Sequence, residues 1–375
     1  MQSRIRVAGA LICSLAAVHL LIFEMPSFYD NYVVRSSSFS FNDDDDDVMA
    51  QVLTDSANLD PNWSTSTTRQ FSKAQNASLG SLELLSYLEA TNMTFCPLTP
   101  PSLVGPIRVF LDEPQLNVLA KMFKHIERGG HGKPTNCLAR HKVAIIVPYR
   151  DRESQLRILL HNLHTLLEKQ QMEYGIFIIE QVADQTFNRG KLMNVGYAEA
   201  SKMFPWQCYI FHDVDLLPED DRNLYSCPVQ PRHMSVAIDK FNYRLPYSSI
   251  FGGISALRDD QVKAINGFSN SFWGWGGEDD DLSQRTSRAG FKVSRYPGEI
   301  ARYKMVKHSR EDTNSANKCR WKLLKKTGIR WRHDGLNDLK YRVLSIEQQP
   351  LFTRILVDLL EQESKKALRK FFPDC

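Results

Sequence analysis

Five short segments of the chain carry side chains suited to chemistry. Asp213-Val214-Asp215 follows an apolar run. Residues two apart on an extended segment point the same way, so both carboxylates can face one cation. Paired acids are common in surface loops; the place of this pair at a strand end gives it weight. A divalent ion held between carboxylate and diphosphate is a usual device for neutralising a nucleotide leaving group. Trp273-Gly274-Trp275-Gly276-Gly277 leads into Glu278, Asp279, Asp280 and Asp281. Neither helix nor strand propensity accounts for two tryptophans among glycines, whereas exposed indoles suit stacking on a sugar ring. Glycine allows movement and close backbone approach. The acids open a helix running to Gly290, where carboxylates match the partial positive charge of the N-terminus. Their mutual repulsion favours one of them as a proton acceptor near neutral pH. Met305-Val306-Lys307-His308-Ser309-Arg310 adds an imidazole and two cations. Pro148-Tyr149-Arg150-Asp151-Arg152 and Phe187-Asn188-Arg189 place three guanidinium groups where a phosphate-bearing ligand would dock.

Such groups act only if a scaffold presents them together. Lys142 to Val147 is a β-branched apolar run ended by Pro148, and Leu156, Leu159, Leu160, Leu163, Leu166 and Leu167 follow helical spacing. Gly175 to Ile179 is a second apolar run, Lys191 to Met203 reads as a helix, and Cys208 to Phe211 is a third run. This βαβαβ alternation predicts a parallel sheet with helices on both faces, with ligands outside the carboxyl ends of the strands. After His233 the chain is rich in Gly, Trp, Tyr and Asp through Gly290, the composition of site-bearing loops.

The 375 residues are 42% hydrophobic and 24% charged, which excludes wholesale disorder, collagen and polytopic membrane architectures. Lys and Arg number 47 against 43 Asp and Glu, a net charge of +4 with no long basic tract, so no nucleic-acid partner is expected. Val7 to Phe23 is an apolar run of 17 residues preceded by Arg4 and Arg6. As a helix it would span roughly 26 Å, close to the ~27 Å core of early secretory membranes. It reads as an uncleaved signal anchor, longer than the apolar region of a cleaved signal peptide. The flanking arginines keep residues 1–6 in the cytosol and send the rest into the lumen. Residues 24–95 read as a disordered lumenal stem, polar and including the acidic run Asp43 to Asp47. Its N-x-S/T triplets at Asn62, Asn76 and Asn92 are candidate glycosylation sites, and the remaining sequence contains none. Residues 96–375 form the folded part. Cys96 with Cys137, and Cys208 with Cys227, bracket segments in a way that admits disulfides or buried thiols; Cys319 and Cys375 have no evident role.

Taken together, and in this order and separation, these motifs and Phe251-Gly252-Gly253 resemble the β-1,4-galactosyltransferase family, glycosyltransferase family 7, over roughly Cys96 to Asp358. The resemblance implies a GT-A fold: an α/β, Rossmann-like, mostly parallel central sheet flanked by helices, behind a type II Golgi membrane anchor. It implies an inverting, Mn²⁺-dependent transfer from a UDP-sugar to terminal N-acetylglucosamine (GlcNAc). It makes Asp215, Met305 and His308 the metal ligands; a thioether and an imidazole are poor partners for magnesium, which argues for manganese. By the same resemblance Pro148, Arg150, Arg152, Phe187, Arg189, Asp213 and Val214 contact the nucleotide, Gly253 lies beside the donor sugar, and Trp275 closes over the donor. Ser309 and Arg310 complete the donor side. Asp279 matches the catalytic base. Tyr247, Gly277, Glu278 and Asp280 match the acceptor grip, and Arg320, Trp321 and Leu324 the pocket for the acceptor N-acetyl group, with tryptophan where phenylalanine is expected. The disulfides implied are Cys96–Cys137 and Cys208–Cys227.

One departure bears on the donor. Ile250 precedes Phe251-Gly252-Gly253 where the vertebrate members carry a tyrosine. Isoleucine removes the hydroxyl and shortens the side chain, leaving room for an acetamido group at the donor C2. An aliphatic residue here accompanies N-acetylgalactosaminyl transfer in the family's invertebrate members. The expectation is therefore transfer of GalNAc from UDP-GalNAc to O4 of a terminal β-linked GlcNAc on glycoprotein or glycolipid glycans, with galactosyl transfer from UDP-Gal as the alternative. A Golgi lectin that kept the fold and lost chemistry is the non-enzymatic alternative, against which Asp215, His308 and Asp279 speak.

Overall fold

Three apolar strands build the centre, and their side chains divide by parity between two cores. In β2 (Lys142–Tyr149), Val143, Ile145 and Val147 enter one core while Ala144 and Ile146 enter the other. The same split runs through β3 (Glu173–Gln181), with Tyr174, Ile176 and Ile178 opposite Phe177 and Ile179. It recurs in β4 (Cys208–His212), with Cys208 and Ile210 opposite Tyr209 and Phe211. Strands buried on both faces read as unbroken apolar runs because neither face meets water. The leucine stripe of α2 (Glu153–Lys169) covers the first face, and α3 (Arg189–Met203), through Leu192, Met193 and Val195, covers the second.

The computed structural model describes residues 93–307 and 314–375, of which Phe95–Cys375 is one compact unit. The anchor at 7–23, the triplets at Asn62, Asn76 and Asn92, and the motif residues His308, Ser309 and Arg310 lie outside the described residues. Among the described residues no helix is long and apolar enough to cross a membrane.

The remaining elements are α1 (Leu116–Met122), β1 (His131–Gly132), β5 (Leu216–Pro218), β6 (Arg232–His233), β7 (Ala237–Ile238), β8 (Ile254–Arg258) and α4 (Asp259–Ala264). They continue with α5 (Glu278–Arg288), β9 (Arg302–Met305), α6 (Arg320–Lys325), α7 (Thr327–Arg330), β10 (Arg342–Gln348), β11 (Thr353–Asp358) and α8 (Glu361–Arg369). An eight-stranded sheet runs β10-β11-β3-β2-β4-β8-β6, with β1 paired to β3. The sheet is mixed rather than mostly parallel: β11·β3, β3·β2 and β2·β4 are parallel, while β4·β8, β8·β6, β10·β11 and β1·β3 are antiparallel. The helical crossovers through α2 and α3 make β2, β3 and β4 parallel, whereas β6 and β8 follow through loops and pair antiparallel; β10 and β11 form a hairpin whose second strand lies parallel to β3. A three-stranded sheet, β5-β9-β7, lies at the site end.

Disulfides join Cys96–Cys137 and Cys208–Cys227, as the resemblance implies, and a third joins Cys319–Cys375. The third ties the C-terminus to the residue before α6. It escaped the sequence reading because its halves are 56 residues apart and belong to no recognised motif.

Candidate active site

Strand ends, the start of α5 and the face of α6 surround one cavity of about 1130 Å³. That exceeds the roughly 300–1,000 Å³ of a single small-ligand site. Every described residue to which the family resemblance gives a site role, disulfide cysteines aside, lines it.

At one end the chain leaves β2 through Pro148. Arg150 is buried, donates from Nη1 to the Gln185 carbonyl at 2.6 Å, and lies 5.1 Å from the centre of the Phe187 ring. It therefore shapes the loop that carries Phe187 as well as facing the cavity. Asn188 caps α3 by accepting from the Lys191 N–H at 2.9 Å, which fixes Arg189 as the first helical residue. Arg189 donates from Nε to Asp213 Oδ1 at 2.7 Å and from Nη2 to the Gly253 carbonyl at 3.2 Å, and its Nη1 lies 3.6 Å from Glu278 Oε1. One guanidinium thus joins the end of β4, the approach to β8 and the start of α5.

Asp213 and Asp215 sit in different surroundings. β4 ends at His212 and residues 214 and 215 form a turn, so the alternation of an extended strand does not apply. Asp213 faces Arg189, whereas Asp215 sits beside β9: its carbonyl accepts from the Val306 N–H at 2.8 Å, and its neighbour Leu216 pairs with Met305. Burial, only partly offset by Arg189, pushes the Asp213 carboxyl up to about 6. Asp215 and Met305 both line the cavity, and a carboxylate next to a thioether fits the manganese ligand set. Its third member, His308, lies outside the described residues, and among those residues no group of three His, Cys, Asp or Glu could hold a metal ion.

At the other end Gly277, at φ +100°, admits the chain to α5 in a left-handed conformation that favours glycine. A helix turns about 100° per residue, so the four consecutive acids diverge. Glu278 faces Arg189; burial, followed by the Asp279 charge, raises its carboxyl to about 7. Asp279 and Asp280 face the cavity, and Tyr247 donates its hydroxyl to Asp280 at 2.9 Å. Asp281 is fully buried, ion-paired with Arg285 and accepting from Thr327 Oγ1 at 2.5 Å, so it belongs to the packing of α5 on α7. The tryptophans divide likewise. Trp275 is 61% exposed at the cavity, but Trp273 is only 6% exposed, packed in the core with Lys191 and Lys365 against its ring. Expecting both indoles exposed was wrong for Trp273, because Gly274, at φ +87°, bends the chain between them. Trp275 is held by its main chain, its N–H donating to Ser315 and its carbonyl accepting from Asn317, both at 2.9 Å. Arg320, Trp321 and Leu324 on α6 close this end, with Arg320 5.7 Å from the Trp275 ring centre and 5.2 Å from that of Trp321.

Three contributors were missed. A β-carbon on Gly252 would overlap the Asp279 carboxylate, so glycine here lets the carboxylate rest against the main chain. The motif contained Gly252, but its contact lies 27 positions along the chain and no local pattern announces it. His233 and Ser235 also line the cavity, and both bond the Gly252 carbonyl, at 3.0 and 3.1 Å.

A family model for the N-terminal region of glycosyl transferase group 7 matches residues 96–228, and one for the N-terminal domain of galactosyltransferase matches residues 232–309. β-1,4-Galactosyltransferase 3 of Mus musculus is 48% identical over 272 residues, 72% of this chain and 69% of that protein. β-1,4-Galactosyltransferase 1 of Mus musculus is 45% identical over 284 residues, 76% of this chain and 71% of that protein. Among solved structures, a mutant of the Drosophila β-1,4-galactosyltransferase 7 in complex with manganese, UDP-Gal and xylobiose is similar with a TM-score of 0.51 and 31% identity, covering 58% of this chain and 94% of that one. The mixed sheet, the cavity at its strand ends and these similarities agree: the chain belongs to the β-1,4-galactosyltransferase family, glycosyltransferase family 7, and is a glycosyltransferase of GT-A fold.

Proposed function

We propose that the protein transfers galactose from UDP-Gal, with inversion, to O4 of a terminal β-linked GlcNAc on glycoprotein or glycolipid glycans. The observation that carries this reading is the meeting of Asp215, Met305, Arg189, Asp279 and Arg320 on one cavity. The relatives named β-1,4-galactosyltransferases support the donor and linkage, as does the Drosophila complex with UDP-Gal.

In this reading Arg150, Arg152 and Phe187 bind the nucleotide, while Pro148, Asp213 and Val214 line the uridine and ribose side. Gly253 borders the donor sugar and Trp275 covers it. Tyr247, Gly277, Glu278 and Asp280 grip the acceptor, and Arg320, Trp321 and Leu324 enclose its N-acetyl group. Asp279 takes the proton from the acceptor 4-hydroxyl as that oxygen attacks the anomeric carbon opposite UDP, a role worth about 10² to 10⁴ in rate. The carbon–oxygen bond to UDP breaks with its electron pair leaving on the diphosphate. Mn²⁺, held by Asp215, Met305 and His308, would supply charge neutralisation for that leaving group. The anchor at 7–23, the stem at 24–95 carrying Asn62, Asn76 and Asn92, and a catalytic domain at 96–375 would place this chemistry in the Golgi lumen as a type II membrane protein. A lectin without chemistry would release no UDP in a manganese-dependent assay with GlcNAc.

Ile250 favours a second reading, in which the donor is UDP-GalNAc. It lines the cavity two residues before Gly252, and an aliphatic side chain leaves space for the 2-acetamido group. Rates with UDP-Gal and UDP-GalNAc, before and after Ile250→Tyr, separate the two. A parent preferring UDP-Gal whose ratio is unmoved by the substitution supports the first and removes the second; a parent preferring UDP-GalNAc, converted by tyrosine toward UDP-Gal, does the reverse.

A further inference from the structure

The segment from Arg244 to Ile250 is largely exposed, yet its Tyr247 and Ile250 both line the cavity. What holds it is a guanidinium outside every recognised motif. Arg295 donates from Nη2 to the carbonyls of Ser248 at 2.9 Å and Ile250 at 2.7 Å, and from Nε to His233 Nδ1 at 3.1 Å. Arginine only donates, so Nδ1 accepts and the imidazole proton sits on Nε2, which donates to the Gly252 carbonyl at 3.0 Å. That tautomer is neutral, in keeping with the deep burial of the ring and with the nearby guanidinium, which together hold the group down at about 3. Arg295 and His233 thereby grip the carbonyls of residues 248, 250 and 252.

Both are anchored on paired main chain. His233 lies in β6, its N–H donates to the Ser294 carbonyl at 3.0 Å, and Arg295 follows Ser294 in the chain. Among the described residues Arg295 is paired with no carboxylate, although it is partly buried. A guanidinium withdrawn from water without a counter-charge is a poor source of stability. Its donors are spent instead on orienting the backbone next to the reacting sugars.

We propose that Arg295, together with His233, is a positioning residue that sets donor selectivity by fixing the main chain that presents Ile250. This rests on the reading that Ile250 faces the donor C2 substituent.

The test measures kcat/KM for UDP-Gal and UDP-GalNAc in the parent, Arg295→Met, Arg295→Lys, Ile250→Tyr and the Arg295→Met/Ile250→Tyr double variant. Arg295→Met should move the donor ratio toward unity by at least fivefold, with UDP affinity held. Lysine, able to reach one carbonyl but not both carbonyls and the imidazole, should give an intermediate ratio. In the double variant the effect of Ile250→Tyr on the ratio should shrink at least threefold, the non-additivity expected of coupled groups. A ratio within twofold of the parent in both arginine variants, or strict additivity with Ile250→Tyr, overturns the inference. If Arg295→Met does not fold, the lysine ratio alone decides. If Ile250→Tyr itself leaves the ratio unchanged, the donor reading of that position has failed; if it moves the ratio and the arginine variants do not, only the role of Arg295 has.

Discussion

Replacing Gly252 by alanine tests the placement of Asp279, the proposed base, through a residue that performs no chemistry. The new β-carbon would meet Asp279 Oδ2 more than half an ångström inside the 3.0 Å floor for real β-carbon contacts, with the Asp279 Cγ at 3.2 Å. To regain ordinary spacing of 3.4 Å or more, the carboxylate must retreat by about 1 Å. The backbone at Gly252 is not in the left-handed region, so alanine brings no conformational strain of its own and slightly restricts the unfolded chain. The perturbation therefore falls on Asp279. A misplacement of ~1 Å at a reacting group costs about 10²-fold, equivalent to ~2.7 kcal/mol in the barrier. Gly252→Ala should lower kcat about 10²-fold, with Tm and UDP affinity near those of the parent. Steady-state kinetics with a GlcNAc acceptor, beside thermal melts and UDP titration, provide the assay. A kcat within about threefold of the parent would refute the claim that Asp279 works from its rest against Gly252.

Asp279→Asn should remove at least 10²-fold of transfer activity while UDP binding persists; near-normal turnover would move the base elsewhere. The Glu278 carboxyl, raised from 4.5 to about 7, contributes stability that is full below 4.5 and lost as pH climbs through about 7. Between those values the parent should lose stability relative to Glu278→Gln, by on the order of 3 kcal/mol at most, and parallel Tm curves for the two would contradict the assignment. Cys375→Ser opens the Cys319–Cys375 link next to α6; it should cost about 2–4 kcal/mol in stability and raise acceptor KM several-fold with donor KM held. Unchanged melts and unchanged acceptor KM would show that the link does not support the acceptor wall.

Strands β2, β3 and β4 and helices α2 and α3 were readable from periodicity, because each is defined by neighbours a few residues away. The residue types at the strand ends and the order of the motifs identified the family for the same reason, being local strings. The pairing of Asp213 with Arg189, the burial of Trp273, the support Gly252 gives Asp279 and the grip of Arg295 on residues 248 and 250 were not readable. Each joins positions that only the folded chain brings together, and a side chain's neighbours are set by packing rather than by its own type.

The sequence by itself determined that acids and guanidinium groups would stand at the ends of a buried sheet, with glycines, indoles and further acids in the loop and helix start that follow. Only the tertiary structure decided how the labour divides among them: of four consecutive acids, three line the cavity, the first of them beside Arg189, and the fourth enters the core. The reason is geometric. A helix turn points successive residues in different directions, and the surroundings met in each direction come from distant parts of the chain.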